Sequence, residues 1–139
     1  MHSTNYIDTF ITIAPDSSAD HGTVPPERPT PSVAQRQFRM IAQNPYRYTS
    51  DEVIFAVWAD RNEIPEDARD QARAEFFSKG QPCLRSSDLG KRYGWGVHSD
   101  GKGRVAIVGV DTLAYATLAD GRTREGEAVT VVQAMRSKR

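Results

Sequence analysis

The chain has a single cysteine in 139 residues, so no internal disulfide can form and nothing points to an oxidising compartment. Long apolar runs are also missing. None approaches the roughly 18 residues that a membrane-spanning helix needs, and no basic stretch with an apolar core opens the sequence. The expected location is therefore the cytoplasm, without a membrane partner. Histidine is sparse as well. His2, His21 and His98 are scattered, no two stand at helical i, i+4 spacing, and one thiol builds no cage, so no metal and no cofactor is expected. Phosphate-loop motifs are absent too. Gly101-Lys102-Gly103 lacks the required spacing, and Gly94-Trp95-Gly96 does not continue as a dinucleotide fingerprint.

Net charge is zero, but it is unevenly distributed. Residues 1–75 carry 7 Lys and Arg against 12 Asp and Glu, a net −5; residues 76–139 carry 11 against 6, a net +5. Local potential acts over about 8–10 Å, so the halves matter more than the total. The plainest reading is two halves of opposite sign packed together. An isoelectric point near 6.8 makes a large nucleic-acid footprint improbable. At this length one domain over 1–139 with a modest core is expected.

Read in order, residues 7–13 are rich in β-branched side chains and predict a strand. Four prolines within 20–31 predict an extended connecting arm, which also offers a docking strand for a second subunit or another protein. Ser32 with Gln35 and Thr49 with Glu52 have the spacing of capping boxes, predicting two helices. Ala34, Phe38 and Ile41 then face the core, as do Val53, Ile54, Val57 and Trp58. Pro65 predicts the start of a third helix with Ala68, Ala72 and Phe76 turned inward and Lys79-Gly80 closing it.

Residues 81–91 have no period and read as an irregular loop holding Cys83 and Arg85. From Tyr93 the chain alternates. Tyr93, Trp95, Val97 and Ser99 share one face; Gly94, Gly96 and His98 share the other. One face is aromatic, and the other is bare beside an imidazole. Asp100-Gly101 turns the chain into a second strand, giving a hairpin over 93–110. Asp111 caps a short helix ended by Gly121, 128–133 forms a last strand, and 135–139 is a basic tail. The fold class is α+β, with helices packed on one face of a small, mostly antiparallel sheet containing that hairpin.

Five stretches together carry a resemblance. They are Met1-His-Ser-Thr-Asn-Tyr6, Asn44-Pro-Tyr46 with Tyr48-Thr-Ser-Asp51, Phe76-Phe-Ser-Lys-Gly-Gln-Pro-Cys-Leu-Arg85, Lys91-Arg-Tyr-Gly-Trp-Gly-Val-His98 and Met135-Arg-Ser-Lys-Arg139. The chain resembles a family of short, mainly bacterial proteins catalogued as a domain of unknown function. The resemblance implies one domain over nearly the whole chain and no mechanism. Residues 121–130 are longer than the connection it implies.

Three classes of function follow. Arg85, Lys91, Arg92 and Arg104, flanking the glycines Gly94 and Gly96, predict binding of a small anionic ligand between the Cys83 loop and the hairpin, because arginine holds carboxylates and phosphates bidentately. The alternative is a thiol-dependent enzyme with Cys83 as nucleophile and His98 as base. Against it, a helix C-terminus opposes thiolate, and lone cysteines are most often buried and inert. The third is a protein–protein or weak nucleic-acid module. The first two require Cys83, Arg85, Arg92 and His98 to converge.

Overall fold

The computed structural model describes residues 1–137; the last two residues of the basic tail, Lys138 and Arg139, lie outside that range. The expected strand is present as β1 (Thr9–Thr12). It lies between β2 (Trp95–Ser99), antiparallel to it, and β4 (Thr130–Gln133), parallel to it. β3 (Val105–Gly109) pairs antiparallel with β2, so the sheet order is β3-β2-β1-β4. The protein is α+β, and its sheet is mostly antiparallel with one parallel pair.

Register sorts the two faces. Phe10, His98 and Ala106 stand in one row, and Ile11, Val97 and Ile107 in the row beside it. Alternation sends these rows to opposite sides. The side of Ile11, Val97 and Val105 is covered by α1 (Val33–Gln43), α2 (Ser50–Arg61) and the single turn α4 (Asp88–Lys91), which supply Ala34, Ile41, Val53, Val57 and Leu89. Each large apolar side chain buried there contributes about 1.5–3 kcal/mol.

The caps explain where these helices begin. Thr49 and Glu52 form the full reciprocal box, and this settles residues 53–59 as helix. Ser32 accepts from the Gln35 amide at 3.1 Å, but Gln35 does not reach back. Its side chain is buried with Oε1 unpartnered, so only half the expected box forms.

Other expectations need correction. A 3-10 turn, Glu66–Ala68, precedes α3 (Arg69–Phe76), which ends at Phe77, ahead of Lys79-Gly80. Ala68 is exposed, whereas Phe77 is buried against Phe55 and Ala59. Inserting that ring draws the chain out of helical geometry early, and α3 packs on α2 rather than on the sheet. The supposed loop 81–91 holds a 3-10 turn, Leu84–Ser86, and then α4, capped by Ser87. Leu84 and Leu89 are core residues, and this is why the stretch is ordered. Gly94 (φ +78) stands outside the strand. Thr112, rather than Asp111, caps α5 (Leu113–Ala119).

α5 crosses the second face of the sheet. Its Tyr115 ring meets Phe10 edge-on at 5.1 Å, and its hydroxyl accepts from the Ile13 amide at 2.9 Å. Gly96 sits beneath both rings; a Cβ there would overlap Phe10 and lie 2.8 Å from Tyr115 Cε2. Glycine is required because an aromatic pair occupies the space a side chain would take. α5 has only seven residues and leaves this face open beside His98.

Among the described residues, no helix is long and apolar enough to cross a membrane. The proline-rich arm is tied down within the chain. The Thr23 amide donates to Tyr93 O at 2.9 Å, the Trp95 indole donates to Thr23 O at 2.8 Å, and Pro25 is buried.

Candidate functional site

The second face opens beside His98 into a cavity of about 670 Å³. β2 and β3 supply its floor with His98 and Val108, and α5 supplies an apolar wall with Leu113, Thr117 and Leu118. Asp8, from the entry to β1, and Asp100, from the hairpin turn, stand at one end. The loop between α5 and β4 adds Arg124, Glu125 and Glu127 to the lining. That loop is held by its own turn, in which the Thr123 amide donates to Glu127 O at 2.8 Å and the Glu127 amide to Thr123 Oγ1 at 3.0 Å.

Tyr46 completes the site from the link between α1 and α2. Its amide donates to Val105 O at 2.9 Å, and the Val105 amide donates to Tyr48 O at 2.8 Å, so this link runs along the free edge of β3. To turn its ring over the sheet, Tyr46 adopts φ +58. That conformation costs a bulky residue on the order of 1–3 kcal/mol. Asp8 is also left-handed, at φ +46. Of the three non-glycine residues with positive φ among those described, two line this cavity and the third, Glu63, follows α2. Strained backbone gathers where side chains are being aimed.

The Tyr46 hydroxyl lies 2.7 Å from His98 Nδ1, with the rings edge to face at 5.5 Å. Nε2 of His98 has no hydrogen-bond partner among the described residues. Burial holds the imidazole below its ordinary value near 6.5, and the charges of Asp100 and Asp8 oppose that shift without cancelling it. Burial, and then Asp100 and Glu125, push the Tyr46 phenol up, so it stays a neutral hydroxyl. For Asp100, burial alone would raise the carboxyl. The amides of Arg104 and Lys102 (each 2.9 Å) and the Arg104 guanidinium at 3.1 Å outweigh burial and lower it.

The sign of the His98 shift has a consequence for stability. A histidine depressed in the folded state takes up its proton more readily when unfolded. Its contribution is therefore complete above about pH 6.5 and is lost as pH falls through the lower folded value. Wild type should lose more stability than His98→Gln between pH 7 and the acid side of that value. Urea midpoints across the range measure this, and parallel pH curves for the two proteins would refute it.

The structure does not bring the expected site residues together. Cys83 is half-buried on the opposite side of the sheet from His98, in a second groove of about 350 Å³ beside Trp58, Phe76 and Pro82. Its thiol lies 3.7 Å from the Tyr6 hydroxyl. Arg85 donates through Nε to Gln133 O at 2.7 Å, tying the 3-10 turn to β4. Arg92 is largely exposed and 3.8 Å from Asp88. Lys91 ends α4, and Arg104 pairs with Asp100 at 3.1 Å near the cavity. Gly94 lies under the His21 carbonyl, and Gly96 under Phe10 and Tyr115. Of the predicted set, His98 alone lines the large cavity.

Sequence reasoning missed Tyr46, Asp8, Asp100, Glu125, Glu127 and Leu113 as site residues. One signal did point the right way: the bare Gly96–His98 face is the face on which the cavity opens.

Fold and site together define an α+β domain with a mixed four-stranded sheet, helices on both faces, and an acidic cavity on the more open one. The chain belongs to the Family of unknown function (DUF6157), whose model matches residues 1–139. Nothing matches it among curated proteins or among solved structures.

Proposed function

We propose that the cavity beside His98 binds a small organic cation with an apolar arm. The observation that carries this reading is the charge of the lining. Asp8, Asp100, Glu125 and Glu127 face about 670 Å³ of space, with Arg124 as the one lining guanidinium among the described residues. Counting Arg104 against Asp100 still leaves two carboxylates in surplus. A concave site with low-dielectric walls focuses such a surplus and draws in ligands of opposite charge. Val108, Leu113 and Leu118 give the apolar arm a surface, and Leu113 is 83% exposed at the rim. The Tyr46 ring, 40% exposed, offers a cation–π face.

The anionic ligand expected from the basic residues has less support. Arg85 and Arg104 are engaged within the chain, and Arg92 stands apart from them.

Three probes of similar shape and different charge test the reading: phenethylammonium, 2-phenylethanol and phenylacetate. Thermal shift and calorimetry should show stabilisation by the cation alone, at about 1.4 kcal/mol for each factor of ten in concentration above Kd. Glu125→Gln with Glu127→Gln should weaken the cation by about tenfold, a loss that added salt would reproduce in part. Preference for phenylacetate would restore the anion reading. A response to none of the three would remove the ligand site.

A further inference from the structure

We infer that His98 and Tyr46 form a proton-transfer pair that acts on the ligand in this cavity, so that the site catalyses isomerisation or elimination of a molecule bearing an acidic C–H bond. The inference rests on the cavity being a ligand site, but not on the charge of the ligand.

The geometry supports a division of labour between the two residues. Tyr46 Oη at 2.7 Å engages Nδ1, which leaves Nε2 for the cavity that His98 lines. The polar side-chain atoms sealed without a partner among the described residues are Gln35 Oε1 and Arg36 Nε. Nε2 is not one of them, so it is not sealed from solvent, and His98 itself lines the cavity although it is only 7% exposed. The base is held on a strand and oriented by the phenol of Tyr46, whose backbone is fixed by the hydrogen bond from its amide to Val105 O. Such an arrangement satisfies the geometric requirement for acid–base work before any question of pKa.

The proton accounting closes within the pair. In the tautomer with Nδ1–H donated to Tyr46 Oη, Nε2 presents its lone pair. The substrate C–H bond breaks, Nε2–H forms, and the electron pair stays on the substrate. Nδ1 then passes its proton to Tyr46, whose original hydroxyl proton goes to the substrate atom that received the electron pair. The pair ends neutral in the opposite tautomer and resets by exchange with water. No oxidant, reductant or co-reactant is needed. Asp8 and Asp100 face the ring and stabilise the transient imidazolium. Glu125 and Glu127 add negative potential from the loop between α5 and β4, with Arg124 and the Arg104–Asp100 pair opposing them.

5-Nitrobenzisoxazole tests the base without knowledge of the natural ligand. Loss of its ring C–H proton to a base forms a nitrile, breaks the N–O bond and releases a coloured phenolate. The full-length protein should turn it over with saturation, about 10²-fold faster than His98→Gln, the contribution typical of a placed general base. Tyr46→Phe should lower the rate and shift its pH profile, an effect that a purely structural role for the hydroxyl would not give. Circular dichroism checks that the variants fold. If His98→Gln does not, the Tyr46→Phe profile and a comparison with equimolar free imidazole decide the matter.

Turnover no faster than His98→Gln or free imidazole overturns the proposal, as does an unchanged pH profile in Tyr46→Phe. The two readings fail separately. Histidine-dependent turnover without phenethylammonium binding would remove the cation and keep the proton chemistry. Phenethylammonium binding without turnover would do the reverse.

Discussion

Asp51→Ala should destabilise the protein by about 2–4 kcal/mol, because three hydrogen bonds to one buried carboxylate are lost together and a buried donor is left unpaired. Asp51 is 2% exposed in the first turn of α2. Its carboxylate accepts from the Thr4 amide and the Thr4 hydroxyl, both at 2.7 Å, and from the Ser3 hydroxyl at 2.8 Å. Its own amide donates to Asn5 Oδ1 at 2.9 Å, and Thr4 Oγ1 lies 2.9 Å from Ser50 Oγ. The opening segment of the chain is thus docked on the positive end of a helix by its hydroxyls and amides. Alanine leaves the Thr4 amide buried and unpaired, at about 1–3 kcal/mol, and takes a charged acceptor from the Thr4 and Ser3 hydroxyls, the former keeping Ser50 Oγ as a partner. Asn at this position keeps the shape and an oxygen for Thr4 but replaces the charged acceptor with a neutral amide, so it should recover only part of the loss. Urea denaturation measures both variants. A change below about 1 kcal/mol for Asp51→Ala would mean that the segment does not rely on this anchor.

Gly94→Ala should cost about 3 kcal/mol or more, from two additive causes. Gly94 has φ +78, which a side chain strains, and its Cβ would overlap the His21 carbonyl oxygen and lie 2.9 Å from the carbonyl carbon. Backbone cannot swing aside as a flexible side chain can, so the arm must lift. That breaks the bond from the Thr23 amide to Tyr93 O and the bond from the Trp95 indole to Thr23 O. It also uncovers the Trp95 ring, on which Gly22 lies. A lower Tm, a red shift in tryptophan emission and new protease cleavage within 17–31 are the expected readouts. Gly126→Ala is the control, because Gly126 shares a positive φ of +88 but has nothing within 4 Å of a Cβ. Equal losses from the two variants would assign the whole effect to φ and none to the arm.

What the sequence made legible was local. The Thr49–Glu52 box marks the start of α2 within a few residues, and β-branched density marks β1. Alternation around Gly96 and His98 identifies the face that carries the cavity. The site itself depends on contacts between distant segments. Three of the four lining carboxylates, Asp100, Glu125 and Glu127, come from the half of the chain with net positive charge, the half whose Arg85, Lys91, Arg92 and Arg104 suggested an anion. Tyr46 is placed by an edge contact with β3 that no local pattern announces. Cys83 and His98 are 15 positions apart in sequence, yet a sheet stands between them. The early end of α3 follows from a pocket for Phe77 that only tertiary packing creates. The stretches that carry the family resemblance meet in space as well. Residues 3–5 bind Asp51, Tyr46 binds His98, and the Met135 amide donates to Arg85 O at 2.8 Å.

The parallel pairing of β1 with β4, in which Thr9 lies beside Thr130, sets an order of events during synthesis. The first strand leaves the ribosome early and meets β2 on one side once the hairpin has emerged. Its other side waits for β4, and long-range parallel pairing is intrinsically slow. The loop that brings Glu125 and Glu127 to the cavity lies between α5 and that late strand, so its position is fixed only when the sheet closes. A ligand gripped by those carboxylates would therefore select the closed chain and protect the last strand from fraying, a coupling that hydrogen exchange at the β4 amides would report.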